Sequence, residues 1–398
     1  MSRELPRAVK TLGLVSLLTD ASSEMITPLL PSFLSSVLKT GPAFLGLVEG
    51  AAEALASVLK LVAGRLSDRA PRRKPFVVFG YGLSTLARPL VAFAVTPLQV
   101  LAVRLTDRFG KGVRSAPRDA MLASVVAPDE RGRAYGFHRA MDHAGATIGP
   151  LLASAALFAG LELRSVFVLA WIPGLLALLA LVFGVKEARA TAPPVAPPTE
   201  PRAEAASRRP SRPFKVYLLV LALFALGNSS DAFLLLRAQE LGVSLVFIPL
   251  LWTLHHVVKA GLSTSLGAFS DRAGRRPAIV LGWAIFALAY LGFARARSPG
   301  MAVLLFAFYG LFQALTEGPE KALVADLGHV DGHGRAFGLY HAVTGAMILP
   351  GNLLTGFLWQ RYGAPCALGT GAGLAALAAA GLLLFVEESP VDRSGAGV

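Results

Sequence analysis

The chain has 398 residues, 54% hydrophobic and 16% charged, with a mean hydropathy of +0.58 and a formal net charge of +13. That balance excludes a water-soluble domain of this length and places most of the chain in a bilayer. The single cysteine, Cys366, excludes an intramolecular disulfide and any cysteine-built metal site.

Residues 1–10 run straight into an apolar stretch without a small-residue cleavage site, so no signal peptide is expected and the first helix should stay in the mature protein. About twenty apolar residues cross the hydrocarbon core as a helix. Gaps at Gly, Pro and charge clusters then divide the chain into spans near 11–34, 43–66, 76–95, 98–122, 134–159, 164–185, 214–237, 244–268, 277–296, 299–326, 335–359 and 364–386. The expected fold class is an all-α membrane protein with twelve transmembrane helices.

Orientation follows from the basic residues. The loop after span 2 carries Arg69, Arg72, Arg73 and Lys74, and 186–213 carries Lys186, Arg189, Arg202, Arg208, Arg209 and Arg212, whereas the connection after span 1 holds Lys39 alone. This asymmetry puts the basic loops and both termini in the cytoplasm and accounts for the net charge as membrane anchoring rather than nucleic-acid binding. The Pro-, Ala- and charge-rich stretch 190–213 cannot span a membrane and reads as a cytoplasmic linker between residues 1–189 and 214–398.

Charged residues inside the spans come next. Asp20 and Glu24 in span 1, like Glu49 and Glu53 in span 2, are four apart and share a helix face. In span 4, Arg104, Arg108, Lys111, Arg114 and Arg118 recur every three or four residues as one stripe. Isolated charges at mid-membrane cost about 2.5–3.5 kcal/mol each on insertion scales, so the stripe should face a polar cavity and partners. It suggests an anionic group on the substrate; Arg118 and Asp119, near the cytoplasmic end, read as a structural pair. His138, Asp142 and His143 in span 5, Asp231 and Arg237 in span 7, His255 and His256 in span 8 and His341 in span 11 add candidates for substrate contact or proton relay. No spacing among these histidines fixes a metal site, and no cofactor is expected.

The chain also repeats itself. Gly64-Arg-Leu-Ser-Asp68-Arg69-Ala-Pro-Arg72-Arg73 recurs 203 residues further on as Gly267-Ala-Phe-Ser-Asp271-Arg272-Ala-Gly-Arg275-Arg276. Gly132 to Gly136 likewise parallels Gly334 to Gly338, and Ser22-Ser23-Glu24 parallels Ser229-Ser230-Asp231. Six spans per copy give both copies the same orientation, as in parallel-repeat transporters.

On these residues the chain resembles the major facilitator superfamily across all its spans. The two loops match that family's signature Gly-x-x-x-Asp-Arg-x-Gly-Arg-Arg, with Pro71 in place of the second Gly in the first copy. The resemblance implies two parallel six-helix repeats, an alternating-access carrier, and a cytoplasmic gate formed by Gly64, Asp68, Arg69, Arg72, Arg73, Gly267, Asp271, Arg272, Arg275 and Arg276. Gly145-Ala-Thr-Ile-Gly149-Pro150 is similar to the core of the family's antiporter motif, although Gly-x-x-x-Gly also serves close helix packing. Arg108-Phe-Gly-Lys111-Gly112 partly matches its span 4 Arg-x-x-Gln-Gly motif, which implies coupling between Arg108 and a span 1 acid, Glu24 or Asp20, with Glu49 and Glu53 as further proton-coupling candidates.

The expected function is therefore proton-coupled export of a small organic compound by a monomer in a bacterial inner membrane, with substrate, protons and lipid as partners. The alternative is an importer or uniporter of an anionic metabolite, a metal ion or a metal chelate such as an iron complex. An enzyme is not expected, because no nucleophile and base occur together.

Overall fold

The computed structural model describes residues 5–127, 130–185, 211–328 and 333–386. These residues are almost wholly helical, with no strand among them. The helices are α1 (Arg7–Ile26), α2 (Pro42–Arg69), α3 (Lys74–Ala87), α4 (Pro97–Ser124), α5 (Arg131–Phe158), α6 (Leu163–Leu169) and α7 (Trp171–Gly184). There follow α8 (Arg212–Gly227), α9 (Ala232–Glu240), α10 (Ile248–Ala273), α11 (Arg275–Arg295), α12 (Pro299–Leu327), α13 (His333–Tyr362) and α14 (Ala364–Phe385).

Helix boundaries fall close to the hydropathy breaks because turn chemistry sits there. Thr96 forms a capping box with Gln99 at the start of α4, and Ser298 accepts from the Met301 amide at the start of α12. Gly274 takes φ +100° between α10 and α11, a conformation open to glycine. In the first copy of that loop the chain leaves α2 through an extended Ala70 instead, and Pro71 is tolerated. Of the linker predicted at 190–213, residues 190–210 lie outside the described residues, and Arg212 already belongs to α8.

Four spans expected as single rods are interrupted. After α1 the chain passes through a 3-10 turn at Thr27–Leu29, one helical turn at Leu30–Ser32 and a π-turn at Phe33–Val37, where Pro28 and Pro31 withhold backbone donors. Arg88–Phe93 continues α3 as 3-10 helix through Pro89. α6 and α7 are separated at Ala170, and α8 and α9 by residues 228–231.

Eight helical segments among the described residues are long and apolar enough to cross a bilayer, at 74–93, 163–184, 212–240, 245–273, 275–295, 299–327, 335–362 and 364–385. Helices α1, α2, α4 and α5 fall outside that group, and they carry most of the charged positions singled out in the sequence. Large apolar side chains such as Phe183, Leu219, Leu304 and Leu384 are exposed on the outside, as a lipid-facing surface requires.

Within the first seven helices α1 packs on α5 and α7, and α4 on α2 and α3. Within the last seven, α8 packs on α13 and α14, and α12 on α10 and α11. The two sets of cores differ in kind. The C-terminal set is aromatic, with Phe224 stacked on Trp283 at 4.4 Å and Phe286 on Tyr290 at 4.0 Å. The N-terminal set packs α1 on α5 through Gly145 and Gly149, where a Cβ would run into the Leu17 and Ala21 carbonyls, and pairs charges between α2 and α4.

Two seams join the sets: α2 against α13 and α5 against α10. They close at the end where α2 begins. Gly46 and Gly50 pack on Asn352, Gly356 packs on Pro42 and Ala43, and Ser154 donates to the Val246 carbonyl at 2.7 Å. Towards the end bearing the Asp-Arg loops the seams part. Val58, Leu61 and Leu66 on α2 and Val257 and Phe269 on α10 are exposed, and between His255 and Ser270 no residue of α10 is buried.

Candidate site between the helix sets

Two residues of the charged stripe of α4, Arg104 and Arg108, are met in register by α2. Glu49 and Glu53 present the same four-residue spacing as Arg104 and Arg108, so two parallel ion pairs form at once: Glu49–Arg104 at 2.7 Å and Glu53–Arg108 at 3.0 Å. Gly112 admits the close approach, since a Cβ there would lie 2.6 Å from Leu59 Cβ. The expected pairing of Arg108 with Glu24 or Asp20 is thus replaced by Glu53, whose matching register on α2 reaches it first.

The other members of the stripe do not pair with α2 in this way. Ten residues at about 100° each turn Arg114 about 80° away from Arg104, towards α3. There it donates to Ser84 Oγ at 2.6 Å and lies 4.4 Å over the Tyr81 ring. Only 4% of Arg114 is exposed, and its hydrogen bond and ring contact both go to α3. Arg118 binds its neighbour Asp119 at 2.8 Å, as anticipated. The side chain of Lys111 is the exception: half-buried, it has no hydrogen bond or ion pair among the described residues. Its charged neighbours include Arg108, Glu53 and Asp20.

Asp20 is likewise half-buried with no hydrogen bond or ion pair among the described residues, in the field of Lys111, Arg114, Arg118 and Asp142. One turn further, Glu24 accepts from the indole N–H of Trp252 on α10 at 2.7 Å. This contact crosses from one helix set to the other.

The histidines divide. His138 is buried with Nδ1 3.5 Å from Asp142, which also takes a hydrogen bond from Ser16, so this pair ties α5 to α1. His143 is half-buried on the same helix and bears electrostatically on His256 across the α5–α10 seam. Trp252 stacks on His255 at 5.5 Å and meets His256 edge-on at 4.9 Å; His255 stacks on Tyr309 at 5.2 Å. Tyr309 donates to Asp231 at 2.6 Å, and Gln313 reaches the same carboxylate at 3.4 Å. His341 is exposed on α13 towards the open end, edge-on to Tyr340. Among the described residues no three His, Cys, Asp or Glu side chains gather as metal ligands would.

Arg237, on α9, is engaged by backbone carbonyls of α11 and its end. It donates to the Phe293 and Ala296 carbonyls at 3.1 and 3.0 Å and pairs with Glu240, capping the C-terminal end of α11. It does not join the central group.

The duplicated loops differ in what they hold. Arg275 binds the Ala322 carbonyl and Asp326 on α12, and Arg276 binds the Leu383 carbonyl at the end of α14, so these two do tie helix ends together. In the first copy Lys74 takes the equivalent task, donating to the Val182 and Val185 carbonyls at the end of α7 at 2.9 and 2.6 Å. Asp68 pairs with Arg73 at 3.4 Å inside its own loop, while Arg69, Arg72, Asp271 and Arg272 are exposed. Gly64 sits near Ala116, and Gly267 has open space where a Cβ would be.

Several site residues escaped the sequence reading. Asp107, 1% exposed, accepts from Arg88 at 2.8 Å, and Arg88 also donates to the Thr19 carbonyl, stitching α1, α3 and α4. A lone Arg in the apolar span 76–95 was the available signal. Trp252, Tyr309 and Asn352 carried none, since aromatic and amide residues in apolar helices look like core. Buried Glu320 accepts from Trp283 and Tyr340, each at 3.0 Å, and shows only as a charge near the end of its span.

The sequence profile of the Major Facilitator Superfamily matches residues 12–254 and 217–397. An uncharacterized MFS-type transporter of Methanocaldococcus jannaschii is 35% identical over 365 residues, covering 90% of each chain. Shorter matches include the staphyloferrin B transporter of Staphylococcus aureus, 30% identical over 36% of this chain and 35% of the relative. A multidrug resistance protein of Photorhabdus laumondii is 32% identical over 39% of each. Among solved structures, the nucleoside transporter NupG superposes with a TM-score of 0.81 over 96% of this chain and all of the other, at 12% identity. The chain belongs to the Major Facilitator Superfamily and is a multi-pass membrane transporter, not an enzyme.

Proposed function

We propose that this chain is a proton-coupled exporter of a small organic compound working by alternating access. In this reading it has twelve crossings in two parallel six-helix bundles, 1–189 and 214–398, with α6–α7 and α8–α9 each forming one broken crossing. The linker and both termini lie in the cytoplasm of a bacterial inner membrane, and the protein acts as a monomer. The basic loops then make the open end cytoplasmic, so the site faces inward.

The observation that carries the reading is the pairing pattern. Arg104, Arg108, Arg114 and Arg118 are all held, whereas Asp20 and Lys111 have no hydrogen bond or ion pair among the described residues, next to Glu24. Unmatched charges of opposite sign beside a gap that opens on one side are what proton and substrate can compete for. Asp20 and Glu24 act as the proton-coupling carboxylates. The pairs Glu49–Arg104 and Glu53–Arg108 preserve the shape of the site. Lys111, His143 and His256 meet the substrate, while Gly145, Gly149 and Pro150 set the α1–α5 packing that the exchange requires. The multidrug resistance relative supports export.

Reconstitution into liposomes with an imposed pH gradient tests this. Substrate-induced proton flux should appear in the native chain and vanish in Asp20→Asn and Glu24→Gln. Transport indifferent to the gradient would refute it. The cation Lys111, unpaired among the described residues, and the staphyloferrin B relative favour one second reading, import or uniport of an anionic metabolite or metal chelate; accumulation inside the vesicles in the absence of a proton gradient would select it.

A further inference from the structure

We infer that Trp252 is a positioning residue, whose indole N–H latches Glu24 across the two helix sets and holds the far end shut. The inference rests on the proposed rocking of the sets, but not on proton coupling or on export.

Glu24 ends the polar face of α1, and Trp252 lies in the second turn of α10, 9% exposed. Their 2.7 Å bond is short and joins a carboxylate to a donor that has no acceptor capacity of its own. Other cross-set hydrogen bonds at this end are neutral: Ser154 to the Val246 carbonyl, Gln239 to Ser36 at 2.7 Å, and the Ala43 amide to Gln360 at 3.3 Å. The Ser230 hydroxyl reaches Glu49 only at 3.5 Å, and Glu49 is already committed to Arg104. Among the hydrogen bonds described across this end of the seam, the indole–Glu24 contact is the one that engages an acidic side chain not already committed to an ion pair.

The indole is also fixed on its own side. Its ring is held by His255 and His256, and His255 by Tyr309, which is anchored through Asp231. A ring so packed moves with α10 and cannot follow Glu24 when α1 moves away. The bond therefore exists in one arrangement of the sets and breaks in the other, which is what a latch on a bistable seam requires.

The test uses the full chain in detergent with Cys366→Ser as background and two reporters. Ser154→Cys lies in the closed seam, where Ser154 is 2% exposed, and His341→Cys lies on the open side. Trp252→Phe keeps a ring but removes the donor. It should speed maleimide labelling at position 154 by up to about tenfold, the upper end of what one lost hydrogen bond gives, and slow labelling at 341. Glu24→Leu should do the same, and the double variant should exceed neither single. Faster labelling at both positions would mean unfolding and would overturn the assignment. So would a change at 154 of less than twofold, or effects of the two substitutions that multiply. Correct labelling with no pH-driven transport would leave the latch in place and remove proton coupling instead.

Discussion

Removing Arg104 should be among the most damaging single changes in the chain, and removing its partner as well should undo most of the damage. Arg104 and Glu49 are 4% and 7% exposed at the side chain, 2.7 Å apart. At an effective dielectric constant near 20 two unit charges at about this separation attract by roughly 6 kcal/mol. Several kcal/mol of desolvation per ion offset that, so the intact pair nearly breaks even, while one member left alone keeps its desolvation cost with nothing to repay it. Arg104→Met is expected to cost about 3–5 kcal/mol. Arg104→Met with Glu49→Leu, which replaces two buried ions by apolar side chains, should lie within about 1 kcal/mol of the native chain. Reversible unfolding in mixed micelles by titrated detergent reads both values. If the single variant loses less than 1 kcal/mol, or the double variant loses the sum of the two singles, the pair is not the closed electrostatic unit described above.

Two further outcomes separate packing from chemistry. Lys111→Met breaks no ion pair among the described residues, so its unfolding free energy should stay within about 1 kcal/mol while transport falls at least tenfold; Arg114→Met should instead cost about 2–4 kcal/mol through the lost Ser84 bond and Tyr81 contact. Equal loss of stability in both would contradict the assignment. Gly149→Ala puts a Cβ 2.5 Å from the Ala21 carbonyl oxygen and 3.0 Å from Ala21 Cα and Glu24 Cβ, and should cost about 1–3 kcal/mol of stability by overpacking α1 against α5. A neutral result there would remove the structural role of this glycine and leave the antiporter motif to explain it.

The boundaries of the helices were legible from one dimension because hydropathy, Pro, Gly and Lys/Arg act locally. The predicted breaks at 67–75, 123–133 and 297–298 fall within about three residues of the ends of α2, α4 and α11. The Glu49/Glu53 and Arg104/Arg108 spacings are visible as well, but spacing within one helix does not say which carboxylates, those of span 1 or of span 2, face the span 4 cations. The interruptions at Thr27–Val37, Arg88–Phe93, Ala170 and 228–231 were flagged only by scattered prolines and serines, which whole-span hydropathy averages away.

Sequence alone determined the membrane class, the family and the stripe of charge on α4, since each depends on composition or on spacing within one helix. Only the tertiary structure decided which of those charges are spent. Whether a cation is neutralised depends on the rotation and register of two helices distant in sequence: α2 takes Arg104 and Arg108, α3 takes Arg114, and nothing described takes Lys111. The same holds for Glu24, whose partner Trp252 lies 228 residues away and meets it because α1 and α10 line facing sides of one seam.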